Sequence, residues 1–349
     1  MSQEPERRTP YRRIDHCMTS ARQFLFIYGG CHCSSYRHYN DFWSYNTISC
    51  VWKRYQLPHE KQDTCVHSSI CSDGKFVYLF GGSYGFPGSR QNNTLVSFDI
   101  TNETWEILFH HTDVCDQNTP PPMYRNLLFY HKGSLYVLGG CDRSLVLDTM
   151  YKFCLQTLTW SLVVQNGLKP QRLIGGTVYE NQIYLFESLE PEINRFREVS
   201  IFDFSTHTWT KRETIAKNQQ YPDTRICESF AFSKNFGWIS GGNIMTTYRP
   251  FYDIWKIDLQ NLEWLKADYT LGIGIFDHCT SIVDDCYLFS FGGQMGETDR
   301  DNTFRKIIIR PPTLYRRCLE TVSRSLNVKS LRMALPPSIL DDLNLNSNS

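Results

Sequence analysis

The sequence has no apolar run of about 18 residues, and its opening, "MSQEPERRTPYRR", contains no apolar segment that resembles a secretion signal. It also has no charge excess, because 36 Lys and Arg residues balance 36 Asp and Glu residues. A neutral chain has no overall field to attract nucleic acid or an anionic membrane. We therefore expect a protein of the cytoplasm, the nucleus or both, without membrane or nucleic-acid partners.

The 13 cysteines lack the paired spacing of a metal site, and an odd number cannot close completely into intramolecular disulfides. The segment "CHCSSYRH" brings together Cys31, His32, Cys33 and His38, but a zinc site needs four convergent ligands and this segment lies in a turn. The chain shows no Ser-His-Asp arrangement or other catalytic signature. We expect reduced thiols, no metal, no cofactor and no enzymatic activity.

Short runs rich in β-branched and aromatic residues recur along the chain and end in paired glycines. The spacing is about fifty residues, with one gap of double length. The pairs are Gly29-Gly30, Gly81-Gly82, Gly139-Gly140, Gly241-Gly242 and Gly292-Gly293. The gap contains "NQIYLFES", residues 181–188, where the strand pattern persists without the glycines. The pattern therefore predicts six repeated units.

In five of the six units a second alternating strand and then a tryptophan follow the first strand, which predicts four short strands in each unit. The tryptophans are Trp52, Trp105, Trp160, Trp209 and Trp264. Paired glycines permit a tight turn with positive φ and leave bare backbone beside it. We expect the tryptophan ring of each unit to lie against that backbone.

Over residues 12–310 this pattern resembles the kelch repeat family, which implies an all-β, six-bladed β-propeller whose closure protects the strand edges. The sixth unit ends in "NTFRKIIIR" without a tryptophan strand, so we expect the N-terminal segment near Arg12 to supply that strand. Residues 1–11 are expected to be flexible, residues 311–345 to form a short helical tail, and residues 346–349 to be disordered.

The segment "TLYRRCLETV", residues 313–322, predicts a helix that Thr313 caps, with Leu314, Cys318 and Val322 on one face and Arg316 facing away. Periodicity alone also allows a terminal helix docked on the propeller through this apolar face. The spacing resembles the elongin-binding BC box, at Thr313, Leu314, Cys318 and Val322. Downstream, "LPPSILDDL" resembles the cullin-2 box, at Leu335, Pro336, Ile339 and Leu343.

The two boxes after a kelch propeller resemble the kelch-domain substrate receptors of cullin-2 RING ubiquitin ligases. The resemblance implies elongin B/C and cullin-2 as partners, with Cys318 as a packing residue rather than a nucleophile. Related receptors bind the C-terminal tails of substrate proteins, often through the terminal carboxylate. Candidate degron-binding residues around the funnel are Tyr124, Arg125, Arg143, Ser144, Arg172, Arg225 and Ser229. The alternative is that these arginines form ion pairs between blades.

Our interpretation is a substrate-recognition adaptor that binds C-terminal degrons in the funnel of its propeller. The alternative is a kelch scaffold in cytoskeletal or signalling assemblies whose tail packs on itself; an oxidoreductase is a third class. The first two differ in whether the apolar face of the tail is available to a partner.

Overall fold

In this computed structural model the described residues are 8–63, 65–85, 90–143, 145–170, 173–187, 195–247, 249–295, 304–325 and 335–343. Six of their seven β-sheets are the blades of the predicted six-bladed propeller, and the seventh is a two-stranded hairpin. The innermost strands of successive blades contact one another around a central channel. Within these ranges no helix has the length and apolar character that crossing a membrane requires.

Blades 1 to 3 are four-stranded antiparallel sheets in which the strands run in chain order from the channel outward. Blade 1 consists of β1 (Cys17–Ala21), β2 (Phe24–Tyr28), β3 (Phe42–Asn46) and β4 (Val51–Tyr55). Blade 2 consists of β5 (Ser69–Ser72), β6 (Phe76–Phe80), β7 (Leu95–Asp99) and β8 (Thr104–Phe109). Blade 3 consists of β9 (Leu127–His131), β10 (Ser134–Leu138), β13 (Met150–Cys154) and β14 (Thr159–Leu162), with a small hairpin, β11 (Cys141–Asp142) and β12 (Leu145–Val146), inserted after β10.

Blades 4 and 5 carry a fifth, parallel strand at the outer edge, donated by the chain that arrives from the preceding blade. Blade 4 consists of β15 (Asn166–Gly167), β16 (Leu173–Tyr179), β17 (Gln182–Glu187), β18 (Glu198–Asp203) and β19 (Thr208–Glu213). Blade 5 consists of β20 (Ile215–Ala216), β21 (Ser229–Phe232), β22 (Phe236–Ser240), β23 (Asp253–Asp258) and β24 (Glu263–Thr270).

Blade 6 has three described strands, and the helices follow it. Its strands are β25 (Phe276–Val283), β26 (Tyr287–Gln294) and β27 (Arg305–Ile308). The tail contains α1 (Leu314–Ser323) and α2 (Pro337–Asp342), and short 3-10 turns lie at His59–Lys61, Arg195–Arg197 and Lys217–Gln219.

The tryptophans fill the space between neighbouring blades. Trp105 of blade 2 lies 4.8 Å from the ring of Phe42 in blade 1, and Trp160 of blade 3 lies 5.6 Å from Phe80 in blade 2. Large rings of this kind bury much apolar surface and prefer edge contacts at these separations. Trp105 and Trp160 thus pack their outer strands against the preceding blade.

The expectation that these rings lie on the glycine pairs is wrong, because the first glycine of a pair faces the backbone of the next blade. A Cβ built on Gly29 would lie 1.9 Å from the carbonyl oxygen of Cys65. The next residue, Gly30, donates its N–H to that same oxygen over 2.8 Å. Gly82 donates in the same way to Met123 over 2.9 Å. The pairs Gly29-Gly30 and Gly81-Gly82 are therefore joints between blades, where only a first residue without a side chain allows the carbonyl so close.

The same joint closes the ring between blades 6 and 1. Gly293 donates its N–H to the carbonyl oxygen of Arg13 over 2.8 Å, and Arg12 Nε donates to the carbonyl oxygen of Gly293 over 2.8 Å. The prediction that the N-terminal segment near Arg12 supplies the outer strand of blade 6 is wrong. Among the described strands β27 is the outer edge of that blade, whereas the segment around Arg12 leads into β1, the innermost strand of blade 1.

Candidate functional site

The first strand of every blade lines the central channel, whose volume is about 560 Å³. Because β1 and β2 run antiparallel, the residues before each first strand lie on the same face of the propeller as the glycine joints. We call this side the funnel face, and the opposite side, which carries the β1–β2 and β3–β4 turns, the tail face.

Among the described residues, five with positive φ form a collar at the funnel end of the channel. The collar consists of Asp15, His67, Arg125, Cys227 and Asp277, with φ between 54° and 56°. Backbone hydrogen bonds connect neighbouring collar residues. The backbone N–H of His67 donates to the carbonyl oxygen of Asp15, and the backbone N–H of Arg125 donates to the carbonyl oxygen of His67, each over 3.0 Å. A non-glycine residue in this region is strained by about 1 to 3 kcal/mol, and such residues cluster at functional sites.

Three collar side chains are connected across blades 1, 2 and 3. His67 Nδ1 lies 3.2 Å from Asp15 Oδ1, and Arg125 Nη2 lies 3.2 Å from His67 Nε2. Burial, together with the charge of Asp277, raises the pKa of Asp15 to about 6. Burial and the neighbouring Arg125 lower the pKa of His67 to about 3. At neutral pH the histidine is therefore uncharged and lies between an ionised carboxylate and a guanidinium.

Blade 3 presents two of the predicted degron-binding arginines on the funnel face. Arg125 is exposed in the collar, and Arg143 is exposed in the β11–β12 turn with φ of 53°. Tyr124 connects them, because its hydroxyl donates to the carbonyl oxygen of Arg143 over 3.0 Å. The ring of Tyr124 is itself buried. The structure thus brings Tyr124, Arg125 and Arg143 together.

Arg225 and Ser229 are placed differently. Arg225 is only 1% exposed and is paired with Asp253 over 2.6 Å, with a further bond to the carbonyl oxygen of Gly241 over 3.1 Å. Arg13 makes the same set of contacts with Asp41 and Gly29 in blade 1. The guanidinium of Arg225 therefore connects the segment before β21 to Gly241 and Asp253 of the same blade. Ser229 lies in the channel wall, bonded to Thr280 Oγ1 over 2.8 Å.

Two other predicted residues, Ser144 and Arg172, lie outside the described residues. Within the described ranges, no group of three or more His, Cys, Asp or Glu side chains could hold a metal ion.

Exposed apolar side chains lie in the loops of the funnel face. Tyr36 and Tyr84 follow the glycine joints of blades 1 and 2, Leu145 lies in the β11–β12 hairpin, and Met245 follows the joint of blade 5. Apolar groups around a polar opening are typical of surfaces that bind other proteins. The funnel face therefore combines cationic groups and apolar groups around one channel.

On the tail face, α1 is docked through a charged residue that the sequence pattern placed away from its apolar stripe. Thr313 Oγ1 accepts the N–H of Arg316 over 3.1 Å and caps the helix as predicted. Arg316 is only 4% exposed, donates to Asp284 and to Thr47 Oγ1, and pairs with Glu320. An amphipathic pattern does not distinguish a buried arginine from a solvated one, so this contact could not be predicted from the sequence.

The opposite side of α1 is open. Leu314 is 77% exposed and Cys318 is exposed, whereas Leu319 packs into a small cluster on Ile48 of the propeller. Val322 packs partly against the same cluster. The stripe that resembles a BC box is therefore directed outward over its first two positions.

The second box lies closer to the propeller. Leu343 is buried in the Ile48 cluster, and Leu335 and Ile339 pack partly against it. Pro336 is exposed. The carbonyl oxygen of Asp342 accepts a hydrogen bond from Gln23 of blade 1 over 2.9 Å. The apolar positions of this segment thus hold α2 beside α1.

A protein-family profile described as the KLHDC2/KLHL20/DRC7 Kelch-repeats domain matches two overlapping stretches of the chain, residues 2–186 and 67–293. Kelch domain-containing protein 10 of Rattus norvegicus is 23% identical over 330 residues, which cover 89% of this chain and 78% of that protein. The Homo sapiens protein of the same name is 23% identical over 327 residues, covering 88% and 72%. Kelch domain-containing protein 1 of Homo sapiens is 23% identical over 378 residues, covering 95% and 89%.

Proposed function

Because this chain belongs to the KLHDC2/KLHL20/DRC7 Kelch-repeats domain family and folds as a protein-binding propeller, we propose that it is a substrate adaptor of a cullin-2/elongin B/C ubiquitin ligase. In this role the protein performs no chemistry itself. The funnel face binds the substrate, and the tail face binds the ligase.

The observation that carries this proposal is the division of α1 into two faces. Arg316 and Leu319 fix the helix to the propeller, while Leu314 and Cys318 are exposed. Burying an exposed leucine and the cysteine beside it in a partner's apolar groove is favourable, and an amphipathic helix docking in such a groove is a common recognition mode. Elongin C is the partner that this spacing fits.

In this arrangement the second box acts beside the first. Leu335, Ile339 and Leu343 hold α2 against the propeller and α1, and the exposed side of the segment at Pro336 would meet cullin-2. Assignment of these four residues to cullin-2 binding stays a prediction.

The substrate part of the proposal is that a C-terminal carboxylate binds at Arg125 and Arg143. Both guanidiniums are exposed on one blade beside the channel, and a charge-assisted hydrogen bond contributes roughly 1.5 to 3 kcal/mol. Residues upstream of the carboxylate would contact apolar groups such as Leu145. Arg225 is excluded from this contact set by its burial.

A scaffold without a ligase role is the second candidate, and the packing of the tail favours it. Leu319 and Leu343 lie in a cluster with Ile48 of the propeller, so part of the tail belongs to the core of the protein itself. The two candidates differ in whether Leu314 and Cys318 contact a partner.

The test is titration of purified elongin B/C into wild type and a Leu314→Ala, Cys318→Ala variant, measured by calorimetry. Arg317→Ala is the matched control, because Arg317 is an exposed residue of the same helix outside the box. Binding by wild type and by the control, with loss in the double variant, supports the adaptor. Absence of binding by folded wild type leaves the scaffold.

A further inference from the structure

We propose that Asp15 and His67 position the guanidinium of Arg125 for the carboxylate of a bound peptide end, so that three blades contribute to one binding contact. The inference rests on the proposed function, because it concerns the same funnel face. It assigns to Asp15 and His67 a role that acts through Arg125 rather than through direct contact with the ligand.

The geometry of the three side chains defines a relay. His67 places Nδ1 at 3.2 Å from Asp15 Oδ1 and Nε2 at 3.2 Å from Arg125 Nη2. An arginine is never an acceptor, so Nε2 must accept the N–H of Arg125 and the ring proton must lie on Nδ1. That proton is then donated to Asp15. Each residue of the relay comes from a different blade.

Burial makes this tautomer stable. The His67 side chain is 13% exposed and that of Asp15 is 27% exposed. A second proton on the ring would place a cation beside Arg125, and burial with that guanidinium lowers the pKa of His67 to about 3. The neutral Nδ1–H form therefore persists across the physiological pH range, and Asp15 fixes which nitrogen carries the proton.

The relay restrains a side chain that would otherwise sample many rotamers. The backbone of Arg125 is held by its bond to the carbonyl oxygen of His67, and the guanidinium is held by the imidazole of the same residue. A guanidinium has five N–H donors, and the bond to His67 uses one of them. Because the backbone and the guanidinium of Arg125 are both held before binding, the ligand loses less binding free energy to the conformational entropy of ordering this side chain.

The first arm of the test needs no ligand. Histidine-selective 15N NMR at pH 7 is expected to show His67 as the neutral Nδ1–H tautomer, identified by its loss in His67→Phe. Asp15→Asn and Arg125→Ala are each expected to shift the ring toward the Nε2–H form. A wild-type ring that is Nε2–H or doubly protonated overturns the relay, whatever the peptide measurements give.

The second arm measures peptide affinity by fluorescence anisotropy, with tails that end in a free carboxylate or in a C-terminal amide. His67→Phe keeps a ring beside Tyr124, whose centroid lies 5.9 Å from that of His67. It is expected to weaken binding of the free acid roughly three- to tenfold and leave binding of the amide unchanged. In the Arg125→Ala background the same substitution is expected to have no further effect.

His38→Phe is the matched control, because His38 lies on the same face with its ring 4.8 Å from that of Tyr84 and outside the relay. His67→Gln, which retains a donor and an acceptor, is expected to recover part of the affinity. An equal loss of peptide affinity from His67→Phe in the wild-type and Arg125→Ala backgrounds would overturn the positioning role. If wild-type His67 is the Nδ1–H tautomer but the protein binds no peptide with a free C-terminal carboxylate, the proposed function is overturned, and the positioning role is overturned with it.

Discussion

Arg316 of α1 donates a hydrogen bond to the carboxylate of Asp284, in the turn between β25 and β26, from a position that is only 4% exposed. The contact joins the tail to blade 6, and the bond from Arg316 to Thr47 joins it to blade 1. Because these contacts lie on the inward face, α1 keeps a fixed orientation relative to the propeller while Leu314 and Cys318 remain exposed.

Replacing Arg316 with alanine should destabilise the protein by about 1 to 3 kcal/mol, because Asp284 and Thr47 lose their partner while part of the tail cluster is uncovered. Urea unfolding checks this. Arg317→Ala, on the exposed side of the same helix, should change the unfolding free energy by no more than about 0.5 kcal/mol. Equal effects from the two substitutions would show that Arg316 is not a structural anchor.

Alanine at Gly29 should prevent or severely weaken folding, because its Cβ would lie 1.9 Å from the carbonyl oxygen of Cys65 at a φ of +67°. Gly74 is a matched control, since it also has positive φ, +90°, but a Cβ there meets nothing within 4 Å. Gly74→Ala should therefore cost only about 1 kcal/mol of backbone strain. Thermal unfolding of both variants measures the difference, and similar midpoints would contradict the blade-joint assignment.

Lys61 gives the protein a pH-dependent stability. Burial lowers the pKa of this amine from 10.5 to about 7, so the unfolded chain binds the extra proton between those values. Stability should therefore rise as pH increases from about 7 toward 10.5 and should not change further through this group below pH 7. Lys61→Met removes the charge, and Ser68 still donates to the carbonyl oxygen of Gly81 that Lys61 contacts.

Unfolding in urea at pH 7 and pH 9.5 measures this effect. Lys61→Met should be more stable than wild type at pH 7, and the gap should narrow at pH 9.5. A gap that stays constant or widens with pH would show that the buried amine is not the titrating group.

The arginines near the funnel should separate into binding and structural residues. Arg125→Ala and Arg143→Ala should each weaken binding of a peptide with a free C-terminus by roughly tenfold or more, while the melting temperature stays near that of wild type. Arg225→Ala should instead lower the melting temperature, because it leaves Asp253 buried without its cation. Anisotropy and thermal scans on the same samples check both halves. Loss of stability in Arg125→Ala would contradict the division.

The repeat pattern predicted the blades because strands that are buried on both faces need apolar residues, as in β2, where all five side chains are buried. It did not predict the partner of the glycines. A contact between Gly29 and the carbonyl oxygen of Cys65 involves only backbone atoms, and any residue at position 65 would supply that oxygen. Closure through Arg13 was missed for the same reason, because its backbone carbonyl oxygen makes the joint.

The candidate site was predicted in part, for a similar reason. Position on the funnel face follows from strand direction, and Arg125 and Arg143 are exposed there. Burial of Arg225 depends on Asp253, which is 28 residues distant in sequence, and no local pattern reports such a pair. His67 gave no signal either, because its contacts with Asp15 and Arg125 arise only when three blades meet.

The most direct test of the proposed adaptor role is ubiquitin transfer in a reconstituted reaction. The reaction contains elongin B/C, cullin-2 and its RING partner. The substrate is a fluorescent protein that carries a C-terminal tail selected for binding to the propeller. The proposed adaptor role predicts ubiquitin transfer to the reporter with a free carboxylate. Transfer should be lost with the Leu314→Ala, Cys318→Ala variant. It should also be lost with Arg125→Ala, although that variant should still assemble with elongin B/C. A folded wild type that neither assembles with elongin B/C and cullin-2 nor promotes transfer would contradict it.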